Sequence, residues 1–201
     1  PALIYLPEVP FSEEQFLNDL KSEFDKNTSP YVVAAVSEGI RGADGRYVAE
    51  TAMSGAVDSF GHKYLAGAGK YLENLVRERI GCKVRSVELN IPQRCAGHLV
   101  SATDIRESFM IGSSATSFAV SGMTAKMAAF VRSCGNDGSY SVSVVPQDVR
   151  EIANKIKKVP LNYINSAGNG VTDECAEYLL PLILGECDIP YKNGIPKHFS
   201  F

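Results

Sequence analysis

Histidine is scarce in this 201-residue sequence: His62, His98 and His198 stand far apart in neither HxxxH nor HExxH spacing, which excludes the commonest helical metal motifs. The five cysteines (Cys82, Cys95, Cys134, Cys175, Cys187) form no CxxC pair. An odd, scattered set beside apolar segments reads as reduced thiols of a cytoplasmic protein and excludes a disulfide framework. Nor is there a basic surplus. With 20 Lys+Arg against 23 Asp+Glu, the net charge of −3 and pI near 5.7 give no surface that would displace counterions from nucleic acid. Any anion site is therefore local. A signal-peptide pattern, a GxSxG nucleophile elbow and a Walker loop are all missing. The longest uncharged run, 108–125, approaches bilayer length, yet its seven Ser/Thr and two Gly favour a buried helix over a membrane span.

What is present is a foldable α/β pattern. At 45% hydrophobic and 21% charged residues, the chain is neither disordered nor a coiled coil, and its length suits one core. It opens on Pro1 and an apolar run, which predicts processing or a missing upstream part. Leu3-Ile4-Tyr5-Leu6 reads as a short strand, and Ser12 with Gln15 forms a capping-box pattern for a helix to about Lys26. The valine-rich run 31–36 reads as a strand covered on both faces. A turn at Gly42 and Asp44-Gly45 follows, then a glycine-bearing stretch 54–69 and a helix to Ile80 with Leu65, Ala68, Leu72, Leu75 and Val76 on one face. Residues 84–89 and 140–145 read as further strands. Ser101 and Asp104 cap a long helix expected to reach about Arg132, whose small residues (Gly112, Ala115, Ala119, Gly122, Ala125, Ala128, Ala129) predict a closely packed neighbour. Pro146 leads to a short helix over 149–157. Thr172-Asp-Glu-Cys starts a last helix that Pro181 should kink or end. Strands alternating with helices predict a three-layer α/β/α sandwich with a mainly parallel sheet.

In such sheets ligands bind beyond the carboxyl ends of the strands, so the residues just after each strand are the candidates. Glu38 follows the valine run, with Gly39 behind it. It reads either as an acceptor for sugar hydroxyls or as a helix cap or surface carboxylate. Arg94 lies past the 84–89 segment, where its planar fork suits a phosphate. Arg85 begins that segment. Nine extended residues separate two side chains by up to ~30 Å, so both arginines serve one phosphate most simply across a symmetric interface. Arg85 otherwise reads as an edge arginine on the surface. The stretch Gly61 to Gly69 is not GxGxxG and reads mainly as close packing, while His98 and Asp104 read as stabilising a helix start.

Pro7-Glu8-Val9-Pro10-Phe11-Ser12-Glu13, Val36-Ser37-Glu38-Gly39, Asp58-Ser-Phe-Gly-His62-Lys-Tyr-Leu65 and Gln93-Arg94-x-x-x-His98-x-x-Ser101-x-x-Asp104 together resemble the C-terminal half of 6-phosphofructokinases. The likeness is greatest to the pyrophosphate-dependent branch, and it extends to the tail, Pro190-Tyr191-Lys-Asn-Gly194-Ile-Pro196. The resemblance implies that residues 1–201 are a sugar-phosphate-binding lobe with a C-terminal extension, the donor lobe lying upstream of residue 1. It implies phosphorylation of fructose 6-phosphate at its 1-hydroxyl, from pyrophosphate or ATP, with Mg²⁺ bound by that other lobe. Glu38 matches the family glutamate on the sugar hydroxyls, Arg94 the arginine on the 6-phosphate, and Arg85 an arginine donated by a neighbouring subunit of a homo-oligomer. Ile91 departs from the pattern, standing where the family often has His or Tyr, so Lys or Tyr side chains near the tail are candidate replacements. The family's Gly-Gly-Asp loop, its Thr-Ile-Asp-x-Asp segment with the catalytic aspartate, and its Met-Gly-Arg sugar contact do not occur in these residues. No catalytic residue is therefore expected here. The alternative is a non-catalytic sugar-phosphate sensor or regulatory subunit. Neither reading involves nucleic acid or a membrane.

Overall fold

A computed structural model describes residues 1–26, 28–48, 67–135 and 139–197. The glycine-bearing stretch 54–66, the 58–65 motif with His62 and Leu65, and His198 lie outside the described residues. The chain divides into two compact units, residues 1–89 with 158–176 and residues 90–157 with 177–201.

The first unit is built on β1 (Leu3–Tyr5) and β2 (Ala34–Val36), paired in parallel with Leu3 opposite Ala34. Helix α1 (Glu13–Asp25) lies in the connection between them, as parallel strands need a crossover and cannot be joined by a tight hairpin. Ser12 caps α1 by accepting from the Gln15 amide at 3.3 Å. The Gln15 side chain donates to the Ala167 carbonyl at 3.0 Å, and the reciprocal half of the expected box is not among the bonds of the described residues. Phe16, Leu17 and Leu20 bury the inner face of α1 against Leu3, Tyr5, Phe11 and the fully enclosed Ile40. Side chains of this size each contribute about 1.5–3 kcal/mol when buried. The Tyr5, Phe11 and Phe16 rings meet with centroids 5.4–5.6 Å apart. The Tyr5 hydroxyl donates to Asp19 at 2.7 Å, and burial, reinforced by that bond, drives its ionisation far above the ordinary tyrosine range. Helix α2 (Ala68–Arg79) adds Leu72 and Val76 to the same core. Segment 158–176 is tied on by Ile4 donating to the Asn169 carbonyl at 2.9 Å and Val159 donating to Glu8 at 2.9 Å.

Two strand expectations change here. β2 covers only the end of the 31–36 run, and Tyr31 and Val33 are exposed, so it is not enclosed on both faces. Residues 84–89 form no strand among the described residues. The alternation is present, with Val84 and Ser86 half-buried and Arg85 and Val87 exposed, but among the described residues no strand pairs with it to complete a ladder.

In the second unit, α3 (Ile91–Cys95) precedes α4 (Ala102–Val120). The Ser101 hydroxyl accepts from the Asp104 amide at 3.0 Å, as its sequence position predicts, and donates to the Leu182 carbonyl at 2.7 Å. α4 ends at Val120, well short of Arg132. Gly122, at φ +83°, donates to the Ala119 carbonyl while Met123 donates to the Phe118 carbonyl, both at 3.0 Å. These two bonds form a Schellman stop. Residues beyond it form β3 (Lys126–Cys134), antiparallel to β4 (Tyr140–Asp148), with Lys126 opposite Asp148. That cross-strand pair is an ion pair at 3.1 Å. The small-residue stripe has no close neighbour at Gly112, where an added Cβ would meet nothing within 4 Å. Arg132 lies over the Tyr140 and Tyr178 rings, 4.7 and 4.2 Å from their centroids.

After β4 the expected helix shrinks to one 3₁₀ turn, Val149–Glu151, opened by Asp148 accepting from the Arg150 amide at 2.9 Å. Helix α5 (Asp173–Leu179) gives way to a 3₁₀ turn containing Pro181, as proline requires. The hairpin of β5 (Tyr191–Lys192) and β6 (Ile195–Pro196) turns through Asn193 and Gly194, both at positive φ. The α/β class holds, with parallel pairing between β1 and β2 and antiparallel pairing in the other two sheets.

Candidate functional site

Glu38 sits where strand chemistry puts it, two residues past β2. The Ser37 amide continues the parallel pairing by donating to the Tyr5 carbonyl at 3.0 Å, and the Ser37 hydroxyl accepts from Gly39 at 3.3 Å. The half-buried Glu38 then accepts from the Ala68 amide at 3.3 Å. Ala68 opens α2, whose N-cap is Gly67 and has no side chain to offer. Glu38 therefore supplies the missing cap, so the helix-cap reading is realised in the structure. One such bond leaves a carboxylate with further lone pairs, so the same group retains capacity for hydroxyl donors.

Arg85 is exposed on the segment after α2. Its neighbour Ser86 turns inward and donates to Glu73 on α2 twice, from the amide at 3.1 Å and from the hydroxyl at 2.7 Å. Glu73 is only 9% exposed and is also paired with Lys70 at 2.8 Å and with Arg77. The Lys70 bond first, then those from Ser86 and Arg77, hold its carboxyl far below the usual glutamate range. Sequence reasoning missed Glu73. Its signal was the i−3 and i+4 spacing of Lys70 and Arg77 around one acid, a pattern that reads equally well as an exposed helix face.

Arg94 is exposed in the last turn of α3, in the second unit. Ile91, at the start of that helix, is 67% exposed. Glu38 and Arg85 are thus both linked to α2 within one unit, while Arg94 is held separately by the other. His98 lies exposed in a 3₁₀ turn and Asp104 in the first turn of α4, consistent with their reading as parts of a helix start. In the tail, Tyr191 and Lys192 are exposed on β5. A cleft of about 510 Å³ in the first unit is lined by Leu3, Ile4, Asp19, Lys26 and Asn169 among others, and its lining includes none of Glu38, Arg85 or Glu73. Among the described residues, no three His, Cys, Asp or Glu side chains converge as a metal site. No helix among them is long and apolar enough to cross a membrane.

No family model matches the sequence. The chain is 38% identical over 198 residues, 98% of its length, to 46% of a pyrophosphate–fructose 6-phosphate 1-phosphotransferase of Methylococcus capsulatus. It is 34% identical over 197 residues to 45% of the enzyme of the same name from Halomonas elongata. The crystal structure of a pyrophosphate-dependent phosphofructokinase from Nitrosospira multiformis superposes with a TM-score of 0.76 at 32% identity, covering 99% of this chain and 45% of that one. The chain thus spans about half the length of the relatives it matches, and matches them along nearly all of its own.

Proposed function

We propose, from the premise that this chain corresponds in sequence and fold to the C-terminal half of pyrophosphate-dependent phosphofructokinases, that residues 1–201 are the sugar-phosphate-binding lobe, with its C-terminal extension, of an enzyme that phosphorylates fructose 6-phosphate at its 1-hydroxyl. The observation that carries this reading is the likeness over 98% of the chain to a protein named for that reaction. Pyrophosphate is the phosphoryl donor, a reading supported by the names of the relatives over ATP.

Phosphoryl transfer depends largely on positioning and charge stabilisation, and this lobe contributes the positioning of the acceptor. Glu38, already oriented by the first amide of α2, accepts from sugar hydroxyls. Arg94 binds the 6-phosphate through its planar fork. Arg85 binds the same phosphate from a neighbouring copy in a homo-oligomer. Magnesium would neutralise charge on the donor, but the described residues of this chain do not fit it, having no converging ligands. In the whole enzyme the donor-binding residues would hold it, and an aspartate outside these residues would take the hydroxyl proton. The five free thiols support a cytoplasmic place for the enzyme.

The test is an assay of the enzyme expressed from its complete gene. Fructose 1,6-bisphosphate should form with pyrophosphate and not with ATP. Formation with ATP alone contradicts the donor assignment, and formation with neither contradicts the proposed reaction.

A further inference from the structure

We infer that Glu73 is a positioning residue that presents Arg85 to the sugar phosphate by clamping Ser86 to α2, an inference that rests on the reading of Arg85 as a phosphate ligand. Residues 82–89 belong to no strand. Among the described residues, the hydrogen bonds of that segment are the two that Ser86 donates to Glu73. A sheet strand has its register set by a ladder; here one carboxylate does that work.

The two oxygens of Glu73 divide the labour. Oε1 takes Lys70 and Arg77, the cations of its own helix, while Oε2 takes both donors of Ser86. The Lys70 and Arg77 pairs need no burial, since helix pairs at this spacing form as readily in water. Enclosing a carboxylate is costly unless its charge is met. The structure nevertheless encloses Glu73 and gives one of its oxygens wholly to the segment. Alternation does the rest: with Ser86 facing α2, Arg85 faces outward. Gly69 permits the close approach, because a Cβ there would lie 3.2 Å from the Ser86 Cβ. Helix α2 thereby orients both proposed sugar ligands of this unit, Glu38 through Ala68 and Arg85 through Glu73.

The test compares Glu73→Gln, Ser86→Ala, Arg85→Ala and the Glu73→Gln/Arg85→Ala double variant in the enzyme expressed from its complete gene. Glu73→Gln should raise KM for fructose 6-phosphate about five- to tenfold while kcat and KM for pyrophosphate stay within about twofold. The double variant should be no worse than Arg85→Ala, because residues acting through one another are not additive. Ser86→Ala leaves the Lys70 and Arg77 pairs in place and should raise the same KM about threefold, which keeps the inference testable if Glu73→Gln folds poorly. If Arg85→Ala raises KM while neither Glu73→Gln nor Ser86→Ala does, or if the double variant is fully additive, the positioning role is overturned. If Arg85→Ala leaves KM unchanged, the phosphate role of Arg85 fails, and the inference with it.

Discussion

Glu38 caps α2 and is the proposed acceptor for sugar hydroxyls, two duties that substitution can separate. Glu38→Ala removes both the cap on Ala68 and the proposed sugar acceptor, and should lower stability by about 1 kcal/mol, the usual cost of losing a helix cap, as well as raising KM for fructose 6-phosphate. Glu38→Gln keeps an oxygen for the Ala68 amide, so its denaturation midpoint should stay near wild type while KM still rises. Equal stability loss in both variants would show that the charge, not the acceptor, serves α2. Tyr71 offers a pH test. Its hydroxyl donates to Glu13, and that bond first, then burial, pushes its ionisation up to about 12. A tyrosine ionising later folded than unfolded stabilises fully below its unfolded value near 10 and loses that contribution as pH rises toward 12. Tyr71→Phe should therefore abolish one phenolate transition near pH 12 and flatten the stability profile between about pH 10 and 12. An unchanged ultraviolet titration would remove the Glu13 contact from the account. Residue identity alone could not expose Glu73: a glutamate between Lys70 and Arg77 reads as solvated, and only the fold reveals that Ser86 lies against it.

At the scale of elements, signals carried by a single cap or stop were legible, and those that depend on a partner were not. Ser12 and Ser101 start α1 and α4 where the sequence places them, and Pro181 changes the last helix as expected. The 84–89 segment alternates like a strand, but a ladder needs a neighbour, which no local pattern supplies. The overlong helix was a misreading of small residues: Ala125, Ala128 and Ala129 suit a helix, while the decisive feature was Gly122 after Ser121, a stop written in backbone conformation. Gly122→Ala should destabilise the protein by about 1 kcal/mol, because the left-handed backbone strains any Cβ even though open space surrounds this one. A urea midpoint at or above wild type would mean that α4 can end without the Schellman bonds.

For the whole molecule, the motifs made the family resemblance readable and with it the roles proposed for Glu38, Arg85 and Arg94, whereas composition and charge alone indicated only a foldable chain without a basic surplus. The structure adds that Glu38 and Arg85 share α2 while Arg94 belongs to the other compact unit. Sharing Arg85 across an interface requires an oligomer, so sedimentation of the enzyme from its complete gene should show more than one copy. A strict monomer would leave Arg85 no role in trans. The 201-residue chain alone, which lacks the family's donor-loop and catalytic-aspartate motifs, should form no fructose 1,6-bisphosphate. The most direct test of the central claim is the pair of Michaelis constants of Arg94→Ala in that enzyme. KM for fructose 6-phosphate should rise at least about tenfold, as loss of a charged phosphate contact implies, with KM for pyrophosphate unchanged. A rise confined to pyrophosphate, or no rise in either constant, would contradict the assignment of this lobe to the sugar phosphate.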